Sequence, residues 1–198
     1  APRCTKDLVE EQLFDRGRDL FSEVGLVFFD TTSIYFEGQG GESIGRHGHS
    51  KDHRPDLRQM IVGVALDVEG RPICCEMWPG NTTDVKSLIP VVERMRAKFR
   101  VTEVCVVADR GFVSDANIAA LEKMDPPVHY VIGARMRRTK EVGEVVLKNR
   151  SAWQEITPGR KRAKDPAPLK VKDLEVEGRR YVVCLNEEEK RKDAHDRK

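Results

Sequence analysis

The apolar positions of this 198-residue chain fall into short runs and helical stripes whose order sets the fold class. Residues 7–24 place Leu8, Leu13, Phe14, Leu20, Phe21 and Val24 among charges at near-helical spacing, so a helix is expected to lead in. "GLVFFD" (25–30) is a continuous apolar run, the mark of a strand covered on both faces, and it is expected to end at Asp30. After a loop rich in Gly, Ser and charge, "RQMIVGVALDVEGRPICCEMWPG" gives two strands around the turn "DVEG". From Thr83 to Phe99, Val85, Leu88, Ile89, Val92, Met95 and Phe99 mark one helical face. Pro90 interrupts it, so the helix either starts near Ser87 or starts at Thr83 and kinks. "VTEVCVVADRG" (101–111) is a second buried strand, running into Asp109. Ser114 then caps a short helix through Ile118, Leu121 and Met124 that "DPP" ends, and "VHYVIGAR" (128–135) is a further strand.

The order β, β, β, α, β, α, β predicts an α/β fold, a mixed sheet with helices packed on it. Beyond Thr139 the pattern changes to short alternating segments, "EVVLKN", "AWQEI", "LKVKDLEV" and "RRYVVCL", each expected as a strand of a small β-rich subdomain. The divisions are a helical lead-in (1–24), a core (25–139), a β-rich insertion (140–186) and a charged tail (187–198). The chain opens on Ala1 and stops in a charged run, and both ends read as cut.

Composition changes this picture little. Charged residues make up 34% and apolar ones 39%, and no run approaches the ~18 apolar residues of a membrane span. A cytoplasmic protein is expected, with no membrane partner. The five cysteines show no CxxC spacing and sit mostly in apolar runs, which favours reduced thiols over disulfides or a zinc site. The net charge of +2 does not announce nucleic-acid binding, but its distribution is informative: "RHGHSKDHRPDLR" (46–58), "RMRRTK" (135–140) and "GRKRAK" (159–164) concentrate positive charge. Solvated loops are the blander reading of each.

The candidate chemistry lies at the two strand ends. In such a sheet ligands gather outside the strand termini, and the first and fourth strands can lie side by side, bringing Asp30 to Asp109. Two carboxylates together repel unless a cation joins them, and Mg²⁺ is commonly held by one or two carboxylates plus phosphate oxygens and water. The functional reading is a Mg²⁺ site for phosphoryl chemistry. The alternative is that Asp30 starts an Asx-type turn with Thr31 while Asp109 pairs with Arg110; the matching contexts of the two aspartates favour the metal.

Four segments, "FFDTTS", "SKDHRPDLRQ", "PGNTTD" and "VVADRGF", resemble in order and spacing the DDE transposases of bacterial insertion sequences, in the branch with a β insertion before the last acidic residue. The resemblance covers essentially the whole chain. It implies a ribonuclease H-like fold and makes Asp30 and Asp109 the counterparts of the family's first and second catalytic, metal-binding aspartates. It further implies two Mg²⁺ (or Mn²⁺) ions, double-stranded DNA as the partner (element ends and target), a homodimer when intact, and a nucleoid-associated place of action. Water attack nicks the element's end, and the freed 3′-hydroxyl attacks another phosphodiester. The family's third carboxylate, a glutamate in a Tyr, Arg, Glu, Lys signature, has no counterpart here: Tyr181 lacks the arginine three residues on, and Glu187, Glu188 and Glu189 are wrongly placed. A core cut before its last catalytic helix is therefore expected, with little activity by itself.

In the basic loop His47, His49 and His53 suggest zinc at first sight, but Lys51, Arg54 and Arg58 would repel a cation. The loop reads instead as DNA-contacting, with Lys51, His53, Arg54, Arg58 and, beside the second aspartate, Arg110 as candidate contacts. "GQGGESIG" fits no nucleotide cradle. "PGNTTD" reads structurally: Pro79 and Gly80 turn the chain, and Thr82, Thr83 or Asp84 caps the next helix. Trp78 is expected to pack, and Trp153 is the better candidate for touching DNA. Three functions compete: a Mg²⁺-dependent transposase core, a non-catalytic DNA-binding remnant that regulates intact transposase, and a hydrolytic nuclease of the same fold.

Overall fold

A computed structural model describes residues 4–17, 25–38, 41–50, 53–99, 104–135, 139–156 and 168–196. The chain divides into two compact units at Gly133/Ala134.

The first unit is built on β1 (Leu26–Tyr35), β2 (Gln59–Leu66), β3 (Pro72–Pro79), β4 (Cys105–Ala108) and β5 (His129–Ile132), in the sheet order β3-β2-β1-β4-β5. The pairs β1/β2 and β2/β3 are antiparallel; β1/β4 and β4/β5 are parallel. Each parallel step needs a crossover. Helix α2 (Asp84–Phe99) lies between β3 and β4, and α3 (Asp115–Lys123) between β4 and β5. This is the expected mixed sheet with flanking helices. The "DVEG" turn forms as read: Gly70 takes φ 78°, and Asp67 Oδ1 accepts from the N–H groups of Glu69 and Arg71, both at 2.9 Å.

Burial along β1 alternates strictly, which corrects the expectation of a strand covered on both faces. Val27, Phe29, Thr31 and Ser33 are buried, whereas Phe28 is 42% and Ile34 45% exposed. The cause is that the helices share one core with the inward set: Leu88, Val91, Val92, Met95 and Phe99 of α2 and Leu121 of α3 cluster with Val27, Phe29 and Val106. The run "LVFF" looked fully buried because its outward positions are apolar too. Helix α2 starts at Asp84 and runs through Pro90, which is exposed. Ser114 caps α3 as expected, its side chain accepting from the Asn117 N–H at 3.1 Å.

The lead-in helix α1 (Thr5–Gly17) is held differently from its sequence expectation. Leu8 and Leu13 are exposed; only Phe14 reaches the core, edge-on to Phe99 at 4.9 Å between ring centroids. Residues Leu20, Phe21 and Val24 lie outside the described residues. Charge does the docking. Arg94 of α2 pairs with Asp7 at 2.7 Å, Glu10 at 2.6 Å and Glu76. On the edge strand β3, Lys6 donates to the Cys75 carbonyl at 2.7 Å and Glu10 accepts the Cys75 N–H at 2.9 Å, so the open side of the edge is covered. Lys98, donating to Asp7, holds that carboxyl well below the usual carboxylate range. The cysteines are all free thiols, and burial pushes the Cys74 thiol up to about 11, which keeps it unreactive.

The second unit carries β6 (Gln154–Ile156), β7 (Leu169–Val176) and β8 (Arg179–Asn186) in one antiparallel sheet. The β7/β8 turn places Glu177 at φ 50° and Gly178 at φ 77°, the two positive angles a tight hairpin requires. One expectation is corrected here. The first predicted strand, "EVVLKN", contributes instead to a π-helical turn (Val142–Val146), because Val142 and Val146, four apart, are the positions that bury against Leu174. The charged tail is helix α4 (Glu187–Asp196): Asn186 Oδ1 accepts from the N–H groups of Glu188 and Glu189 at 3.0 and 3.2 Å, and three acidic residues in the first turn suit the positive helix end.

Arg94 is 16% exposed, so removing it leaves Asp7, Glu10 and Glu76 with only Lys6 and Lys98 to offset their charges. Arg94→Ala is expected to destabilise the fold by roughly 2–4 kcal/mol in urea denaturation, a little below the ~3–5 kcal/mol of a fully buried pair; a loss under about 0.5 kcal/mol would show that the cluster does not hold α1.

Candidate active site

The site is set by register. In the parallel β1/β4 pair, Leu26 faces Cys105 and Phe29 faces Ala108, so Asp30 and Asp109 take the next, neighbouring positions. The strands there are about 4.8 Å apart. Asp30 does not end its strand, contrary to expectation: β1 continues to Tyr35 because β2 pairs with it throughout, from Phe28↔Leu66 to Tyr35↔Gln59. Only β4 stops, at Ala108. Asp30 therefore stands where β1 loses its parallel partner, and Asp109 where the chain leaves the sheet.

Each carboxylate is aimed by its own backbone. Asp30 Oδ1 accepts the Thr31 N–H at 2.7 Å, and Asp109 Oδ1 accepts the Gly111 N–H at 2.6 Å in an Asx-type turn. These bonds orient the groups while leaving both residues exposed. Among the described residues no cluster of three His, Cys, Asp or Glu is placed to hold a metal ion. What the sheet offers is a pair of hard oxygen donors, which suits a divalent cation that keeps water or phosphate in its remaining positions.

A third aspartate, one of the three candidate caps of α2, enters the same neighbourhood. Thr31, buried on the helix-covered face, donates its hydroxyl to Asp84 Oδ1 at 2.6 Å. A Cβ added at Gly111 would lie 2.8 Å from Asp109 Oδ1 and 3.1 Å from Asp84 Oδ2, so the two carboxylates flank this glycine. The signal was the motif "PGNTTD" itself, whose acidic residue opens a helix packed on the same sheet. Asn117 ties the surroundings together: its buried side chain donates to the carbonyls of Val85 and Phe112 at 2.8 and 2.9 Å, joining the start of α2 to the loop after Asp109.

The basic loop is anchored by Gln59, fully buried, whose amide donates to the carbonyls of His49 and Gly80 at 3.0 and 3.1 Å. Gly80 is required: a Cβ there would fall 2.0 Å from the Gln59 carbonyl oxygen. Arg54 forms a two-pronged pair with Asp56 at 3.0 and 2.9 Å and stands over the Tyr35 ring at 5.5 Å. His53, at φ 57°, and Arg58 are exposed, as is Arg110 beside Asp109; Lys51 lies outside the described residues. The His47 ring sits 3.4 Å from the Pro55 carbonyl. Of the tryptophans, Trp78 packs against the core, while Trp153 of the second unit is exposed under Lys172, 5.1 Å from the ring centroid. In that unit Glu187 pairs with Lys170 and Lys190. Among the described residues no helix is long and apolar enough to cross a membrane.

Comparison with known proteins gives a family. Residues 24–194 match the family model described as transposase DDE domain. No curated protein matches the chain. Among solved structures, a piggyBac transposase synaptic complex with hairpin DNA is 15% identical with a TM-score of 0.47, covering 84% of this chain and 36% of that one. A Mos1 transposase paired-end complex with the left transposon end is 15% identical with a TM-score of 0.39, covering 68% and 44%. A pre-cleavage Mos1 transpososome is 16% identical with a TM-score of 0.38, covering 66% and 42%. The chain thus spans less than half the length of each of these proteins. With a match that takes in both sheet aspartates, the "PGNTTD" turn and the second unit, the chain belongs to the transposase DDE domain family.

Proposed function

We propose that this chain carries the metal-dependent phosphodiester-cutting and strand-transfer centre of a DNA transposase, with Asp30 and Asp109 as its catalytic, metal-holding residues. The observation that carries the reading is the parallel register that sets two exposed carboxylates side by side at the end of β4. Family membership supports it, since DDE transposases generally depend on a divalent metal. Bound Mg²⁺ or Mn²⁺, two ions in the intact enzyme, supplies activation of a water or 3′-hydroxyl and charge neutralisation at the leaving oxygen. Asp30 and Asp109 provide the oxygen ligands, each held in direction by a backbone N–H. No covalent intermediate on the protein is needed.

DNA is the substrate and partner, approached by phosphate contacts from the loop 46–58: Lys51, His53, Arg54 and Arg58, with Arg110 beside the metal pair. Arg54 exchanges Asp56 for a phosphate on binding. Element ends are worked on by a homodimer, in the nucleoid where bacterial elements lie. No residue of this chain is assigned as the third carboxylate, so strand cleavage by these 198 residues alone is slow.

Two measurements test this. Titration of the 198-residue protein with Mn²⁺, followed by electron paramagnetic resonance, is expected to show saturable binding that Asp30→Asn and Asp109→Asn each weaken at least ~10-fold. Binding untouched by both substitutions, or none in the unaltered protein, removes the metal site. For DNA, the double variant Arg54→Ala/Arg58→Ala is expected to bind duplex more weakly and to reduce the slope of log affinity against log salt by about one per lost phosphate contact; an unchanged slope would move the DNA surface elsewhere.

A further inference from the structure

Asp84 lies at the start of α2, on the helix-covered side of the sheet, and no step of the proposed chemistry uses it. Its two carboxylate oxygens nevertheless face the two segments that carry the metal pair. Oδ1 accepts the Thr31 hydroxyl at 2.6 Å, one residue from Asp30. Oδ2 stands 3.1 Å from where a Gly111 side chain would begin, beside the N–H that aims Asp109. Thr31 is 4% exposed, and a hydrogen bond from its hydroxyl to a charged acceptor is of the stronger kind.

We propose that Asp84 is a positioning residue that couples Asp30 to Asp109: through Thr31 it fixes the mid-strand point of β1, and against Gly111 it fixes the turn that leaves β4. The role assigned to it is one of positioning, since its Oδ1 is already engaged by the Thr31 hydroxyl. A capping role alone would leave the Thr31 bond without a purpose, since Thr31 belongs to the sheet and not to α2. The arrangement explains three sequence choices at once. A hydroxyl follows Asp30, an aspartate opens α2, and a glycine stands two residues after Asp109, where any side chain would press on both carboxylates.

Its bearing on metal binding rests on the proposed Asp30–Asp109 site, and the experiment separates the two. Thr31→Val removes the hydroxyl donor without touching any carboxylate, Thr31→Ser restores it, and Asp84→Ala removes the acceptor. In the metal-free, ¹⁵N-labelled chain, Thr31→Val and Asp84→Ala are expected to shift the Gly111 amide resonance and speed its hydrogen exchange, with Thr31→Ser close to the unaltered protein. With Mn²⁺, both disruptive variants are expected to bind about 10-fold more weakly and Thr31→Ser within about 3-fold of the unaltered protein. A Gly111 amide that ignores Thr31→Val, or a Thr31→Ser variant that fails to restore it, overturns the coupling whatever the metal does. Should the unaltered chain bind no Mn²⁺ while the amide responds as expected, the coupling stands and the metal reading falls. Thermal midpoints, recorded for each variant, exclude unfolding as the cause.

Discussion

The parallel pairing of β1 with β4 is the constraint on which the rest of the first unit depends. It joins an antiparallel β3-β2-β1 meander to the parallel strands β4 and β5, and its register brings residue 30 to residue 109 across nearly eighty residues of chain. Parallel pairing demands a crossover helix, and α2 supplies it. That helix in turn brings Asp84 to the covered side of β1 and the Arg94 cluster to α1. One strand pair thus fixes the site, the main helix and the docking of the lead-in.

The alternation of β1 gives this pairing its chemical use. Asp30 belongs to the open face with Phe28 and Ile34, and Thr31 to the covered face with Val27 and Phe29. A carboxylate reachable from solvent is therefore next to a hydroxyl that reaches only the interior. Presenting a carboxylate and holding it still fall to consecutive residues because a strand turns them to opposite sides. At the same end of the sheet, Gln59 and Gly80 bind the basic loop to the "PGNTTD" turn, so the segment proposed to meet DNA and the one that opens α2 share an anchor.

Most elements were legible because their apolar periodicity is undiluted. The stripe Leu88, Val92, Met95 and Phe99 is buried in α2 as its spacing implies, and Ser114 caps α3. The misread elements share a cause, that a local pattern was compatible with two structures. "EVVLKN" has strand-forming residues, but only its Val146 is buried, paired with Val142 four residues earlier, and "NEEEKRKDAHD" lacks an apolar face yet carries a cap and a matched charge at its start. In α1 the apolar stripe suggested packing, while ion pairs across to α2 and β3 decide how the helix lies.

The sequence by itself determined the class of the protein: strands and helices in the order of a mixed α/β sheet, two aspartates in matching contexts, and four ordered segments that resemble those of DDE transposases. Strand ends and acidic motifs are local properties, readable in a window of a few residues. Which residues meet was decided only by tertiary structure. That Asp30 lies mid-strand follows from how far β2 pairs with β1, that one sheet face is open follows from where the helices pack, and that Asp84 reaches Thr31 follows from the crossover. Contacts between residues distant in the chain depend on register and packing, and no short stretch of sequence carries either.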